Sequence, residues 1–353
     1  MRKKGISGIM RVKNDAKFIE RCVESCINAL DELVIVYNDC SDDSSTIIEK
    51  MRERYPGKIK TSEYPYKVYG ANLNEEEYNI AKNLKVHSPH LLCNYYNYAL
   101  SFATYSHAIK IDADQIYSEE LLKQWTKQCK TTDAKRMTAK VLVGMAFQRY
   151  FSLYRWLSVR SRKRIHLMPS WLCRTVSDCY RKYALWLFKN DKACLSLSGL
   201  NIVETESQER YVSMGMTSSP VNILPPFNGE GDHVIFKISD STRYQPFEMQ
   251  HYNQQRSSSY SIIEEFVHPY RIVPVGFAWI HISAMRDNIV SAVNETMAEH
   301  PEKFIEINEF EKTSFKKISE IADKKMFSLF QRTLFSFIYP AFRTDIEQLK
   351  RIK

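Results

Sequence analysis

In "HAIKIDADQIYSEE" (107–120) an apolar run ends in two aspartates one residue apart. Side chains alternate faces along an extended strand, so Asp112 and Asp114 share a side while Ala113 turns away. Two carboxylates on one side repel each other unless a positive charge lies between them. Capping does not explain the pair, because Ser118, followed by Glu119, Glu120 and "LLKQW", already supplies the cap of the next helix. The pattern points to a metal site. A second acidic group, "VYNDCSDDSST" (36–46), places Asp39 at a strand end, where a carboxylate can accept hydrogen bonds from a nucleoside base or ribose. A third, "GEGDH" (229–233), carries Glu230, Asp232 and His233 in a glycine-flanked loop.

The elements that must hold these residues alternate regularly through the first third of the chain. Residues 6–12 read as a buried strand, 15–30 as a helix with Phe18, Cys22, Cys26 and Leu30 on one stripe, and 32–37 as a second strand. Residues 42–55 form a capped helix, "KIKTSEY" a third strand, and 91–103 a helix leading into "HAIKID". Strands separated by helices imply a parallel sheet, and ligands of such sheets bind beyond the carboxyl ends of the strands, where Asp39, Asp112 and Asp114 fall. Beyond residue 135 the pattern changes: "MTAKVLVGMAFQRY" reads as a strand pair or one continuous strand, then come short strands and loops over about 194–285. The tail from 288 is mostly helical, with a break expected at Pro340. The expected fold class is α/β, a mostly parallel central sheet flanked by helices with a helical C-terminal region, divided as 1–135, 136–287 and 288–353.

The composition is that of a soluble globular protein. There is no window of about 18 uninterrupted apolar residues and no signal-like apolar run behind "MRKKGISG", so neither export nor membrane spanning is expected. Eight cysteines without a CxxC pair read as reduced thiols of a cytoplasmic protein. The net charge of +9 is concentrated: residues 149–189 hold ten Lys or Arg and one acid, Asp178, with Trp156, Trp171 and Trp186 interleaved. Such a segment suits nucleic acid, an anionic membrane surface or a lipid-linked glycan, or is simply a solvated helical pair.

Taken together, "GIMRVKNDAKFIERCVESC", "ELVIVYNDCSDDSST" and "NYALSFATYSHAIKIDAD" resemble the nucleotide-sugar half of GT-A fold glycosyltransferases, especially inverting family 2 and its lipopolysaccharide and capsule relatives. The resemblance covers about residues 5–130 and is most specific at "IDAD", which matches the family's DxD motif. It implies a nucleotide-sugar donor, a UDP-sugar, contacted by Arg11, Asn14, Asp39, Asn97 and Asp112, with Asp39 on the uracil or ribose. It further implies Mg²⁺ or Mn²⁺ on Asp112 and Asp114, completed by a histidine from the C-terminal half, His281 in "GFAWIHIS" ahead of His251. A hard divalent cation of this kind stabilises the departing diphosphate. The family's Arg-Asn dipeptide stands here as Tyr96 and Asn97, without the arginine. Inverting transfer needs a base for the acceptor hydroxyl, for which Asp232 stands narrowly before Glu230, with His233 as a further candidate.

The Gln-x-x-Arg-Trp motif of processive members is absent, which favours single additions to a glycan or lipid-linked glycan acceptor. On this reading no nucleic acid partner is expected, and an anionic membrane surface is the place to meet a lipid-linked acceptor. The basic segment and an apolar tail stripe (Phe327, Phe330, Leu334, Phe337 and Ile338) are the candidate contacts there. Two other classes fit less well. A sugar nucleotidyltransferase would open with a glycine-rich phosphate loop that "GISGIMRVKND" lacks, and a nucleic-acid-binding protein would leave the aspartate pair without a purpose.

Overall fold

A computed structural model describes residues 2–131, 136–162, 169–217, 221–229, 231, 233–251 and 259–352. Its internal contacts group the chain into two units. The first comprises residues 1–113, 126–131 and 235–271, and the second 114–125, 132–234 and 272–353. The tail from 288 thus falls inside the second unit, and a late segment returns to the first because the strand Val234–Lys237 pairs there.

In the first unit, β1 (Lys3–Val12), β2 (Glu32–Tyr37), β3 (Ile59–Glu63) and β4 (Tyr105–Asp112) form a parallel sheet of order β3-β2-β1-β4. Residues 235–237 pair antiparallel with β4. The crossover helices α1 (Ala16–Cys26) and α2 (Ser44–Arg54) follow from the sequence: Phe18, Ile19, Cys22, Val23 and Cys26 make the buried stripe of α1. After α3 (Glu75–Lys82), α4 (Leu92–Ser101) buries Tyr95 and Tyr96, and the Tyr95 hydroxyl donates to the last carbonyls of the strands, Val12 O at 3.1 Å and Val36 O at 2.7 Å. An antiparallel hairpin, Arg243–His251 with Ser259–Val267, packs on α3 and α4.

The second unit begins with β5 (Gln115–Tyr117), which pairs antiparallel with the strand Arg271–His281. The Ser118 hydroxyl accepts from Leu121 N at 3.4 Å and caps α5 (Glu119–Thr126), as its position in the sequence requires. The strand expected over 137–150 is instead α6 (Ala139–Arg160), capped by Thr138 and followed by α7 (Ser170–Lys189). Its buried residues Val141, Gly144, Phe147, Phe151, Tyr154 and Ser158 recur at helical spacing. A Cβ at Gly144 would stand 2.1 Å from the Cys179 carbonyl oxygen, so glycine lets α6 and α7 touch. The local sequence misleads because α6 is apolar on its outer face too, which hides the 3.6-residue period.

Farther on, β6 (Ala193–Glu204) pairs with β7 (Arg210–Ser213), with β8 (Phe227–Asn228) and with the strand Arg271–His281. In the tail, Pro340 lies in the last turn of the helix Leu329–Ala341 and the chain breaks only at Phe342. Phe327, Leu334, Phe337 and Ile338 are core residues and Phe330 alone of the stripe is exposed, so the tail offers no continuous apolar surface. No helix among the described residues is long and apolar enough to cross a membrane.

Candidate active site

The polar residues of the first unit gather at the carboxyl ends of its parallel strands. Arg11 on β1 is in register with Asp112 on β4. Its Nη2 donates to the Tyr96 hydroxyl at 2.7 Å, and the guanidinium lies 3.9 Å above the Tyr96 ring. Burial disfavours its charge, but Tyr96, Glu264 and Asp112 around it outweigh that and raise its pKa above the ordinary value. A guanidinium therefore stands against residue 96 although the dipeptide that would supply one locally has lost it. Lys110, two residues before Asp112 on the same face of β4, is buried, with Nζ 3.2 Å from Glu264 Oε1 and 3.7 Å from Asp112 Oδ2. Two cations and two carboxylates thus share the strand ends.

Asp39 and Asn14 both adopt positive φ, +45° and +56°. Asn14 Oδ1 accepts from Ser41 N at 2.8 Å, so it shapes the loop that carries Asp39. Asp39 itself is 73% exposed and pairs with Lys13 Nζ at 3.0 Å, open to a ligand from solvent. Asn97 is tied into the fold: its Nδ2 donates to Tyr244 O at 2.9 Å and its Oδ1 accepts from Tyr244 N at 2.8 Å, which clips the hairpin to α4.

In the second unit the ladder between β5 and the strand Arg271–His281 aligns His281 with Gln115, and Asp114 O accepts from Ile282 N at 2.9 Å. This brings His281 Nε2 within 3.4 Å of Asp114 Oδ1, while Arg286 Nη2 donates to Asp114 Oδ2 at 2.9 Å. The imidazole tautomer follows from Asn201. Its Nδ2 donates to Pro225 O at 2.6 Å and Phe227 O at 3.3 Å, so its Oδ1 is the atom 2.6 Å from His281 Nδ1. Nδ1 therefore donates to Asn201, which leaves Nε2 as the ring atom that faces the Asp114 carboxylate. A carboxylate and an imidazole held by the Asn201 amide stand together here, while no group of three His, Cys, Asp or Glu among the described residues is placed to hold a metal ion.

Glu230 and Asp232 lie outside the described residues, as does the side chain of His251. His233 is buried. The Gln115 amide is oriented by the Tyr117 hydroxyl, which donates to its Oε1 at 2.5 Å, and so Gln115 Nε2 donates to His233 Nε2 at 2.8 Å. The His233 ring packs against Trp279 at 4.6 Å, an interior position that gives an acceptor hydroxyl no access. Trp279 in turn covers Gly199 and Gly229, where a Cβ would fall 2.1 and 2.5 Å from its indole.

Sequence reasoning passed over Lys110, Glu264, Arg286 and Asn201. Lys110 had a signal, a lysine inside the apolar strand "AIKID" at the same-face spacing from Asp112. The other three meet their partners only through tertiary pairing.

Residues 6–143 match the model of a family described as beta-1,4-N-acetylgalactosaminyltransferase (CgtA). With the parallel sheet order and the aspartate pair closing β4, this match makes the fold that of the GT-A glycosyltransferases. No curated protein matches the sequence. Among solved structures, the chain is similar to S. aureus TarS 1–349 in complex with UDP, at 22% identity over 35% of this chain and 31% of that one, with a TM-score of 0.25. The complex of the same protein with UDP-GlcNAc gives 21%, 35%, 30% and 0.25. A further TarS 1–349 structure aligns over 99% of this chain and 92% of that one at 11% identity and a TM-score of 0.32. In the first two alignments the chain spans about a third of the length of its structural relative.

Proposed function

We propose that the protein is a glycosyltransferase that moves a sugar from a UDP-sugar to a hydroxyl of a glycan or lipid-linked glycan, one sugar at a time and with inversion. The observation that carries this reading is the aspartate pair at the carboxyl end of β4, with His281 Nε2 3.4 Å from the second aspartate. The family description over residues 6–143 favours an N-acetylhexosamine, N-acetylgalactosamine first, as the transferred sugar.

Asp112, Asp114 and His281 would hold Mn²⁺ or Mg²⁺, which when bound supplies a Lewis acid for the leaving diphosphate. Arg286 holds Asp114 in place and brings a permanent positive charge to the same carboxylate, ready to neutralise phosphate oxygens. Arg11, fixed by Tyr96, and Lys110 place positive charge beside the Asp112 carboxylate. Asp39 binds the uracil or ribose from its loop. Asp232, or Glu230 beside it in the sequence, takes the proton of the acceptor hydroxyl.

The test is calorimetric titration of the full chain with UDP, UDP-N-acetylgalactosamine and UDP-N-acetylglucosamine, with and without Mn²⁺, alongside donor hydrolysis. Metal-dependent binding of a UDP-sugar that is lost in Asp114→Asn is the expected result. Binding of no UDP-sugar under either condition overturns the reading.

A further inference from the structure

Helix α6 has two apolar faces, and among the described residues the fold buries one of them. The inner face carries Phe147, Phe151 and Tyr154 against α7 and the tail helix Leu329–Ala341, where Phe151 and Phe337 pack at 4.2 Å. The opposite face presents Leu142, Tyr150, Leu153 and Trp156 at helical spacing, with Val143 beside them, and all are exposed, Leu153 by 53% and Trp156 by 56%. From Leu142 to Trp156 this stripe runs about 21 Å along the helix. Trp171 at the start of α7 is exposed by 60%, and Phe330 on the tail helix by 48%. Solvent-facing aliphatic and aromatic side chains in one row on a single helix are not what a solvated helical pair displays.

The charge around the stripe selects its occupant. The 22 residues of α6 contain Lys140, Arg149, Arg155 and Arg160 and no acid. Arg160 lies 5.6 Å over the Trp156 ring and Arg155 4.4 Å over Phe330, so cations stand directly beside the exposed aromatics. An apolar row containing Trp and Leu, bordered by arginines, matches the chemistry of a bilayer interface with anionic headgroups: side chains enter the acyl boundary while guanidinium groups meet phosphate. A nucleic acid would use the arginines and tryptophans but leave Leu142, Val143 and Leu153 in water.

We infer that the outer face of α6, with Trp171 and Phe330, is a docking surface for an anionic phospholipid bilayer. This goes beyond the transfer reaction and requires neither donor nor metal, so its test is independent of that reading. It also narrows the membrane contact expected of the basic segment and the tail to α6, Trp171 and Phe330, since the rest of the tail stripe is core. Docking there rests on side chains alone and needs no spanning helix.

The experiment is flotation of the full chain with phosphatidylcholine vesicles, with and without phosphatidylglycerol, at low and high salt. Wild-type protein should float with the anionic vesicles at low salt and much less at high salt. The triple variant Leu153→Ser/Trp156→Ser/Trp171→Ser should lose at least about tenfold in partitioning. Arg149→Gln/Arg160→Gln should lose the dependence on anionic lipid. A control pair in the first unit, Ile80→Ser/Val86→Ser, exposed at 42% and 58%, should float like wild type. Circular dichroism melting of each variant confirms that the fold persists. The inference is overturned if wild-type protein stays with the soluble fraction at low salt, or if the triple variant floats undiminished. It is overturned equally if light scattering shows a stable dimer that the triple variant converts to monomer, since a second copy of the chain would then own the face.

Discussion

The two ends of the parallel sheet in the first unit treat buried charge in opposite ways. At the amino end Glu32, the first residue of β2, is saturated: Ser7 Oγ and Thr104 N donate to one carboxylate oxygen, both at 2.6 Å, and Thr104 Oγ1 at 2.7 Å and Lys60 Nζ at 2.6 Å to the other. At the carboxyl end Lys110 is shared between Glu264 and Asp112 at 3.2 and 3.7 Å, and Arg11 Nε has no hydrogen-bond partner among the described residues. One end is complete in itself. The other sets its cations and carboxylates side by side at longer distances, the place where a charged ligand would meet them.

The largest effect expected from this contrast is on activity at the carboxyl end. Asp112→Asn and Asp114→Asn should each lower sugar transfer at least about a hundredfold while the denaturation midpoint stays near that of wild type. Full turnover in both variants, or in excess EDTA, would make the pair a simple turn.

The amino end should answer in stability instead. Burial pushes the Glu32 carboxyl up, but its bonds from Lys60, Ser7 and Thr104 outweigh burial and hold it below its ordinary value of 4.5. A depressed folded-state pKa stabilises the protein above the unfolded value, and that contribution is lost as pH falls through the folded value. Glu32→Gln should therefore cost about 2 kcal/mol at neutral pH with donor affinity unchanged, and the gap from wild type should narrow as the pH drops below about 4.5. Urea unfolding across pH measures this; a gap that is constant down to the acid transition would sink the assignment.

Smaller effects sharpen the contrast within the carboxyl end. If Asp39 serves the donor as proposed, Asp39→Ala should raise the donor KM by about tenfold with kcat and stability nearly unchanged, because its side chain is exposed and its ion pair with Lys13 lies at the surface. Asn97→Ala should do the reverse and cost about 1 kcal/mol of stability while leaving the donor KM as it was, because its amide serves the Tyr244 backbone. If Asn97→Ala instead raises KM at constant stability, the clip is not its role.

Much of this was legible in the chain itself. The alternation of short apolar runs with stripes such as Phe18, Cys22 and Cys26 fixes strands and helices locally, because each periodicity spans only a few turns or residues. The position of the aspartates follows from it, since a strand that ends in a carboxylate pair puts that pair at the carboxyl edge whatever else the protein does. Where local patterning had two solutions, it failed. The outer apolar face of α6 imitates a strand, and only its buried contacts with α7 and the tail helix select the helix.

By itself, then, the sequence determined the parallel sheet, the aspartate pair and the basic aromatic segment, all encoded by neighbours along the chain. Tertiary structure alone decided which atoms do what. Asn201 fixes the tautomer of His281 from 80 residues away, Arg286 reaches Asp114 across 172, and Glu264 meets Lys110 across 154. Asn97 clips the Tyr244 backbone from 147 residues away. Hydrogen bonds and ion pairs act over about 3 Å of space and carry no mark in the sequence between their ends, so only the folded chain could assign them.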